Sequence, residues 1–376
     1  VTTAELLDEL RSTFPAGATT GTFDATVVAG GAYSGLLTGL GIPLVISLSS
    51  PDGWVQSGDE VTLTGTSQTP LLGVPGPPVY FQFAPAGDGG WTLLLDVTLP
   101  ATWTFGQSFA LLAAGVFEDL RLADGSASAL VVASGPAADP RRGVDVAAPL
   151  TFTGTFDVNS SGWSQIAWAT GGGGRVTGPV DYAASTGAVT MELPLASESV
   201  DHVLGTGLHL ALTLSLHSAL DSALGQYLYG VRFATELDFE TRAGTRSMVL
   251  SALYADARQG VLELSVSGTA FAFPTPAALA RWFGSEHGLE GRLPDGFQDG
   301  TLLEVTGLTL GVGMQSHALE YAFLGLGALQ GVTWEIWPHH FTLSDIDASF
   351  AAFAPLGDAP RYSLGFGGTL TLGGVP

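Results

Sequence analysis

The chain contains no cysteine and no lysine; all twelve basic residues are arginine, and asparagine occurs once, at Asn159. Without cysteine there are no disulfides, thiolate nucleophiles, iron–sulfur clusters or cysteine-ligated zinc. Without lysine, Schiff-base catalysis and the phosphate-gripping residue of a P-loop are excluded. Charge is scarce altogether, at 12% of residues, against about 25% in an ordinary globular protein. What charge there is lies mostly on acids, and the formal net charge is −23. Such a surface has no basic patch to neutralise phosphates, so nucleic acid is not expected as a partner. An anionic membrane surface should repel it for the same reason. No uncharged apolar run of about 20 residues occurs, so no helical membrane span is expected. The most apolar stretch, 32–48, is cut by Gly35, Gly39, Gly41 and Pro43. Scarcity of lysine, asparagine and isoleucine together matches the coding bias of a GC-rich genome and points to a bacterial source.

Against these absences stand 46% hydrophobic residues, 52 glycines and 21 prolines. Glycine and proline are spread between short apolar runs, as turns are, rather than gathered into one linker. The runs favour Val, Thr, Leu and Phe in alternation. The expected fold is all-β: an antiparallel β-sandwich or barrel-like sheets with a few short covering helices. The length admits two domains. Gly135–Gly143 is polar, carries Pro136 and Pro140 and adjacent arginines, and is the best linker candidate. The expected division is therefore 1–140, an N-terminal β domain with a leading helix, and 141–376, a larger C-terminal β domain with an inserted helix near 275–284. Because it begins at Val1 and its last strand stops at Pro376, the chain reads as processed, trimmed or part of something longer.

Local signals fill in this outline. Thr2 and Glu5 form a capping-box pattern, and Leu6, Leu7, Leu10 and Phe14 share one helical face that Pro15 and Gly17 terminate. Leu208–Leu216 alternates most cleanly, with leucine at every even position. Ile42–Ser49 is apolar enough to be a strand buried on both faces. Phe105–Leu122 reads equally as helix or strand, and Ser197–Leu204 as one or two helical turns closed by Gly205. Strict alternation sets Trp334 and Ile336 on one face, Glu335 and Trp337 on the other. Two short patterns recur: Gly-Thr at 21, 65, 154, 268 and 368, and a glycine turn that launches Trp54, Trp91 and Trp163. Both are marks of duplicated hairpin units.

Candidates for chemistry are few. His339 and His340, followed by Asp345 and Asp347, have the donor types for a divalent metal. Adjacent strand residues point to opposite faces, however, and Pro338 must turn the chain for both to serve one ion. Gly106-Gln107-Ser108 has the outline of a degraded nucleophile elbow without the βαβ rhythm that such a turn needs. His209 and His217 are roughly 26 Å apart in an extended strand and form no joint site. The acid pairs Glu118–Asp119, Glu236–Asp238 and Asp345–Asp347 serve glycoside hydrolysis only if a cleft brings two carboxylates face to face. No catalytic residue is assigned and no cofactor is expected. The aromatics crowd into 275–376, which makes Trp282, Trp334, Trp337 and Phe341 the candidate ligand-binding residues, with packing against a core as the competing reading.

Together these features point to a non-enzymatic structural or binding module of a larger extracellular or particle-forming assembly. Its expected partners are another protein or a second copy at sheet edges, with an apolar ligand or glycan as a further candidate. The alternatives are a two-domain β-barrel that holds an apolar small molecule, with or without cyclase-like activity, and a secreted glycosidase. Two structural expectations are sharp: Trp282 and Phe283 pack on the sheet that holds Trp334, and the strand at 369–372 meets a neighbour.

Overall fold

A computed structural model of the chain describes all residues except 1, 16, 51, 88, 148, 161–162, 171–173, 196–199, 205–207, 242–243, 257–258, 273–302, 329–332, 338–340, 356 and 373–376. Strands make up 54% of it and helices 12%, and the sheet is mostly antiparallel, so the all-β expectation holds. The chain forms two compact units: unit 1 is Val1–Ser197, Ser215–Val231 and Ala255–Ala257; unit 2 is Glu198–Leu214, Arg232–Tyr254 and Arg258–Pro376. The boundary expected near residue 140 therefore lies inside unit 1.

Unit 1 opens with helix α1 (Thr3–Thr13), started by the predicted capping box: Glu5 N–H donates to Thr2 Oγ1, and Thr2 N–H donates to Glu5 Oε2. Leu6, Leu7, Leu10 and Phe14 are buried as the helical spacing requires. The sheet follows: β1 (Thr20–Asp24), β2 (Val45–Ser49), β3 (Val55–Ser57), β4 (Glu60–Ser67), β5 (Pro78–Pro85), β6 (Trp91–Thr98), β7 (Ala129–Ala133), β8 (Ala137–Asp139), β9 (Val144–Val146), β10 (Leu150–Thr155), β11 (Arg175–Ala183) and β12 (Ala188–Pro194). Register places them in the order β1–β2–β4–β5–β6–β7–β10–β11–β12, with β3 beside the start of β4. Two short helices, α2 (Ser34–Gly39) and α3 (Phe105–Ser108), lie in the connections. Residues 105–117, ambiguous in sequence, are α3 and two 3-10 turns.

One face of this sheet carries the aromatic core. Phe23, Trp54, Phe81 and Phe83 meet at 5.0–6.2 Å between ring centres. Farther along it, Phe152 stacks on Trp103 at 5.6 Å and on Phe156 at 5.4 Å. The recurring Gly-Thr pairs have a packing reason here. A Cβ at Gly21 would lie 2.4 Å from the ring of Phe14, one at Gly65 2.3 Å from Ser49 O, and one at Gly154 2.8 Å from Ser128 Oγ. The opposite face is covered by a hairpin of β8 and β9, whose Ala137, Val144 and Val146 pack on Tyr80, Leu94, Ala129, Val131 and Ala133. Residues 135–143, read from composition as a linker, are thus β8 and the turn into β9. Strand β2 is not enclosed on both faces as expected, since Val45 is exposed while Ile46 and Leu48 are buried.

The later strands are β13 (Val200–Leu204), β14 (Leu208–Asp221), β15 (Gln226–Thr241), β16 (Gly244–Tyr254), β17 (Val261–Ala272), β18 (Leu303–Gly313), β19 (Leu319–Ala328), β20 (Trp334–Trp337), β21 (Phe341–Phe353) and β22 (Arg361–Leu372). β13 replaces the helical turn expected there: its Val200–Leu204 pair with Leu208–Leu212, an extended hairpin that β-branched valines favour. In β14, Leu210, Leu212, Leu214 and Leu216 are buried, as alternation predicted. In unit 2, β16, β17, β18, β19 and β21 pair in that order. One edge of β21 is shared by β19, at Asp347–Phe353, and by β20, at Phe341–Leu343; its other edge carries β22. Leu262, Leu264, Leu308, Leu310, Val312, Leu324, Ile346, Ala348 and Ala352 make one face of this sheet apolar and buried. The helix expected near 275–284, with Trp282 and Phe283, lies outside the described residues.

Candidate interaction surface

β22 pairs with β21 and with no second strand among the described residues. Its register sets Tyr362 opposite Ala352 and Phe366 opposite Ala348, on the buried apolar face. Phe350 of that face stacks on Tyr362 at 6.0 Å. Between Ser344 and Asp347, β21 carries a bulge, with Asp345 at φ 50°, while β22 runs on opposite it. Every even position of β22 therefore keeps the same face. On its neighbour this face is closed, with Ala348 and Ala352 at most 3% exposed. On β22 it opens: Tyr362 is 49% exposed, Phe366 45%, Leu370 51% and Leu372 66%.

The aromatic candidates from the sequence fall on the same rows. Trp334 stands opposite Leu343, and Leu343 opposite Leu370; Trp337 stands opposite Phe341, and Phe341 opposite Leu372. The backbone carries a register shift between Glu335 and Trp337; the expected opposite facing of the Trp334 and Trp337 side chains lies outside what the structure describes. Phe341 and Leu343 are half-buried. From Tyr362 to Leu372 the edge strand has no charged residue. Sheet edges in soluble proteins are ordinarily blunted by charge, proline or a bulge in the edge strand itself. None of these protects β22 over that span.

Of the proposed metal ligands, Asp345 and Asp347 are exposed on β21, and Asp345 Oδ2 accepts a long 3.4 Å bond from Ser344 Oγ. The carboxylate of Asp347 lies over Gly367, where a Cβ would be 2.3 Å from Oδ1. His339, His340 and Trp282 lie outside the described residues, and no group of three His, Asp or Glu with metal-binding geometry occurs among those described. Ser108, in the elbow-like stretch, is buried and engaged: it accepts from Trp103 Nε1 at 2.9 Å and donates to Leu72 O. It ties a loop to the core and has no base beside it in those bonds. Glu192 on β12 receives Ser215 Oγ on one oxygen and meets His217 Nδ1 at 2.5 Å on the other. The acid stands between serine and histidine there, whereas nucleophile activation needs histidine in the middle.

Sequence reasoning missed one polar cluster, in unit 1. Asp96 on β6 is fully buried and receives Arg142 Nε at 2.8 Å and Nη2 at 3.1 Å. Arg142 Nη2 also donates to Thr98 Oγ1 at 2.7 Å and Nη1 to Ser126 O at 2.5 Å. Beside them Arg141 lies over the Tyr80 ring at 5.4 Å. Asp139 accepts the Arg141 backbone N–H at 2.9 Å, and burial, reinforced by the charge on Asp96, holds its carboxyl above the usual aspartate range. Burial likewise raises the Tyr80 hydroxyl. Arg142's bonds go to β6, to the Ser126 carbonyl in the connection before β7 and to its own turn, so this cluster fastens the β8–β9 hairpin. Among the described residues no helix is long and apolar enough to cross a membrane. Comparison of the chain with protein-family models, curated proteins and solved structures returned no match.

Proposed function

We propose that this protein is a non-enzymatic binding module of a larger assembly, and that it works through the open edge of the unit 2 sheet. The observation that carries the reading is β22: an edge strand without charge from Tyr362 to Leu372, whose Tyr362, Phe366, Leu370 and Leu372 continue a buried apolar face into solvent. A strand of this kind binds by β-addition. Main-chain hydrogen bonds supply affinity, and alternate side chains supply selectivity. Phe341, opposite Leu372, continues the apolar row one strand inward.

Hydrogen exchange on the intact chain tests this. At about 1 μM, where a weak complex is dissociated, the amides of β22 that point away from β21 are expected to exchange far faster than those of β21. On raising the protein concentration or adding the partner they become protected. A monomer in which all β22 amides are already as slow as those of β21 has its edge covered by its own chain, and the proposal fails.

A further inference from the structure

We infer that the occupant of this edge is a second copy of the chain, paired antiparallel to the first in a register centred on Gly367. The inference rests on the reading of β22 as the working edge and goes further by naming what fills it. In this register Tyr362 stands opposite Leu372 of the second copy, Leu364 opposite its Leu370, and Phe366 opposite its Gly368. Every apolar position meets an apolar or glycine position, because directly opposed residues share a face and the strand alternates throughout. The aromatic ring of Phe366 covers the bare backbone of a glycine, a pairing that compensates for a missing side chain. On the other face Ser363 meets Thr371 and Gly365 meets Thr369, pairs of small and hydroxyl side chains. A one-residue slip would set Tyr362, Phe366 and Leu370 against these polar positions and lose the match.

Charge sets a condition on this pairing. Two molecules of net charge −23 repel one another at a distance. β22 offers them eleven consecutive uncharged residues along which to meet. Of the acids one strand inward, Asp347 sets its carboxylate over Gly367 itself, so about one strand spacing, roughly 5 Å, separates it from the incoming strand. That is about half a Debye length at 0.1 M salt, so the two Asp347 carboxylates repel across the axis and added salt weakens that repulsion. Association is therefore expected to tighten as salt rises. A foreign partner would meet no charged side chain of β22 from Tyr362 to Leu372, and selectivity along the strand rests on the spacing of large and small residues. That spacing is matched by the strand itself. A two-fold axis also makes the contact close on itself, so a dimer forms rather than a fibre.

Because the chain lacks cysteine, crosslinking reads the register directly. Ser363→Cys and Thr371→Cys variants of the full chain, each exposed at its new thiol position, are oxidised separately and as an equimolar mixture. Residues opposed across antiparallel strands lie within disulfide reach. The expected result is a covalent dimer in the mixture and almost none with either variant alone. Leu370→Glu, introduced into both variants with circular dichroism unchanged, is expected to cut the yield at least tenfold. Dimer from Ser363→Cys alone would mean parallel pairing or an antiparallel register centred on residue 363, and no dimer in the mixture would mean a different occupant or register; either overturns the inference. Fast exchange at β22 alongside a failed crosslink leaves the edge proposal standing, so the two failures are told apart.

Discussion

β6 and β22 are both strands in antiparallel sheets, and they handle charge and apolar surface in opposite ways. β6 runs Leu93-Leu94-Leu95-Asp96-Val97 with every side chain buried, because the aromatic core lies on one face and the β8–β9 hairpin on the other. It encloses a carboxylate and answers it with a two-pronged arginine from the hairpin. β22 alternates strictly, encloses little beyond its contact with β21, and carries no charge from Tyr362 to Leu372. In a chain with so few charges, placing an ion pair inside and leaving an edge uncharged is opposite to what solubility alone would select. The interior pair fixes where one hairpin docks. The uncharged edge leaves the chain a place to be joined.

The largest effect is expected at β6. Arg142→Ala removes both short bonds to the buried Asp96 and leaves it Arg141 Nη1 at 3.9 Å and a 3.4 Å bond from Thr98 Oγ1. The loss is expected to cost about 3 kcal/mol, the low end for a broken buried pair, read in urea by tryptophan fluorescence of the intact chain. Replacing both partners, Asp96→Leu with Arg142→Leu, is expected to recover most of that loss, since no charge is then stranded. If the single variant costs less than about 1 kcal/mol, a value typical of exposed pairs, the enclosure of β6 has been misread. At β22 the same assay should register almost nothing. Leu370→Lys changes an exposed side chain on an edge and is expected to alter stability by no more than about 0.5 kcal/mol, while abolishing concentration-dependent mass growth in light scattering. A loss above about 2 kcal/mol, the cost of truncating a core leucine, would show that Leu370 is core and that the contrast between the strands is false.

What could be read from the sequence follows how local each determinant is. α1 was legible because its capping box and stop signals lie within fifteen residues of one another, and β14 because every second residue is leucine. β22 was legible as a strand for the same reason, though its exposure was not: alternation shows that one face is apolar and says nothing about what covers it. The Asp96–Arg142 pair was invisible because its partners are 46 positions apart and meet through a hairpin whose Gly-Pro-Arg composition is also that of a linker. The helical turns expected at Ser197–Leu204 rest on Gly205 as a C-terminal stop, whereas pairing with β14 decides the conformation of β13.

The smallest effect, and the one that most sharpens the picture of β6, concerns Asp139. It shares the hairpin interface with Asp96 but is 1% exposed with Oδ2 lacking a partner among the described residues. Burial, then the charge of Asp96, raises its carboxyl above the ordinary value, against the pull of the Arg141 and Arg142 backbone N–H groups and the Arg142 guanidinium. A raised folded-state value means that the native protein binds this proton more tightly than the unfolded chain does. Its contribution to stability is therefore fully present below the unfolded value, near 4, and is lost as pH rises through the folded one. Asp139→Asn stays neutral throughout, keeps an oxygen to accept the Arg141 N–H, and places an amide where the unpartnered oxygen stood. Measured by urea unfolding from pH 3.5 to 7, the stability of the variant relative to the native chain is expected to rise with pH. At neutral pH Asp96→Asn should instead weaken the protein, because it takes the counter-charge from Arg142. If both variants shift stability in the same direction, the two carboxylates do not play the separate parts that their hydrogen bonds assign them.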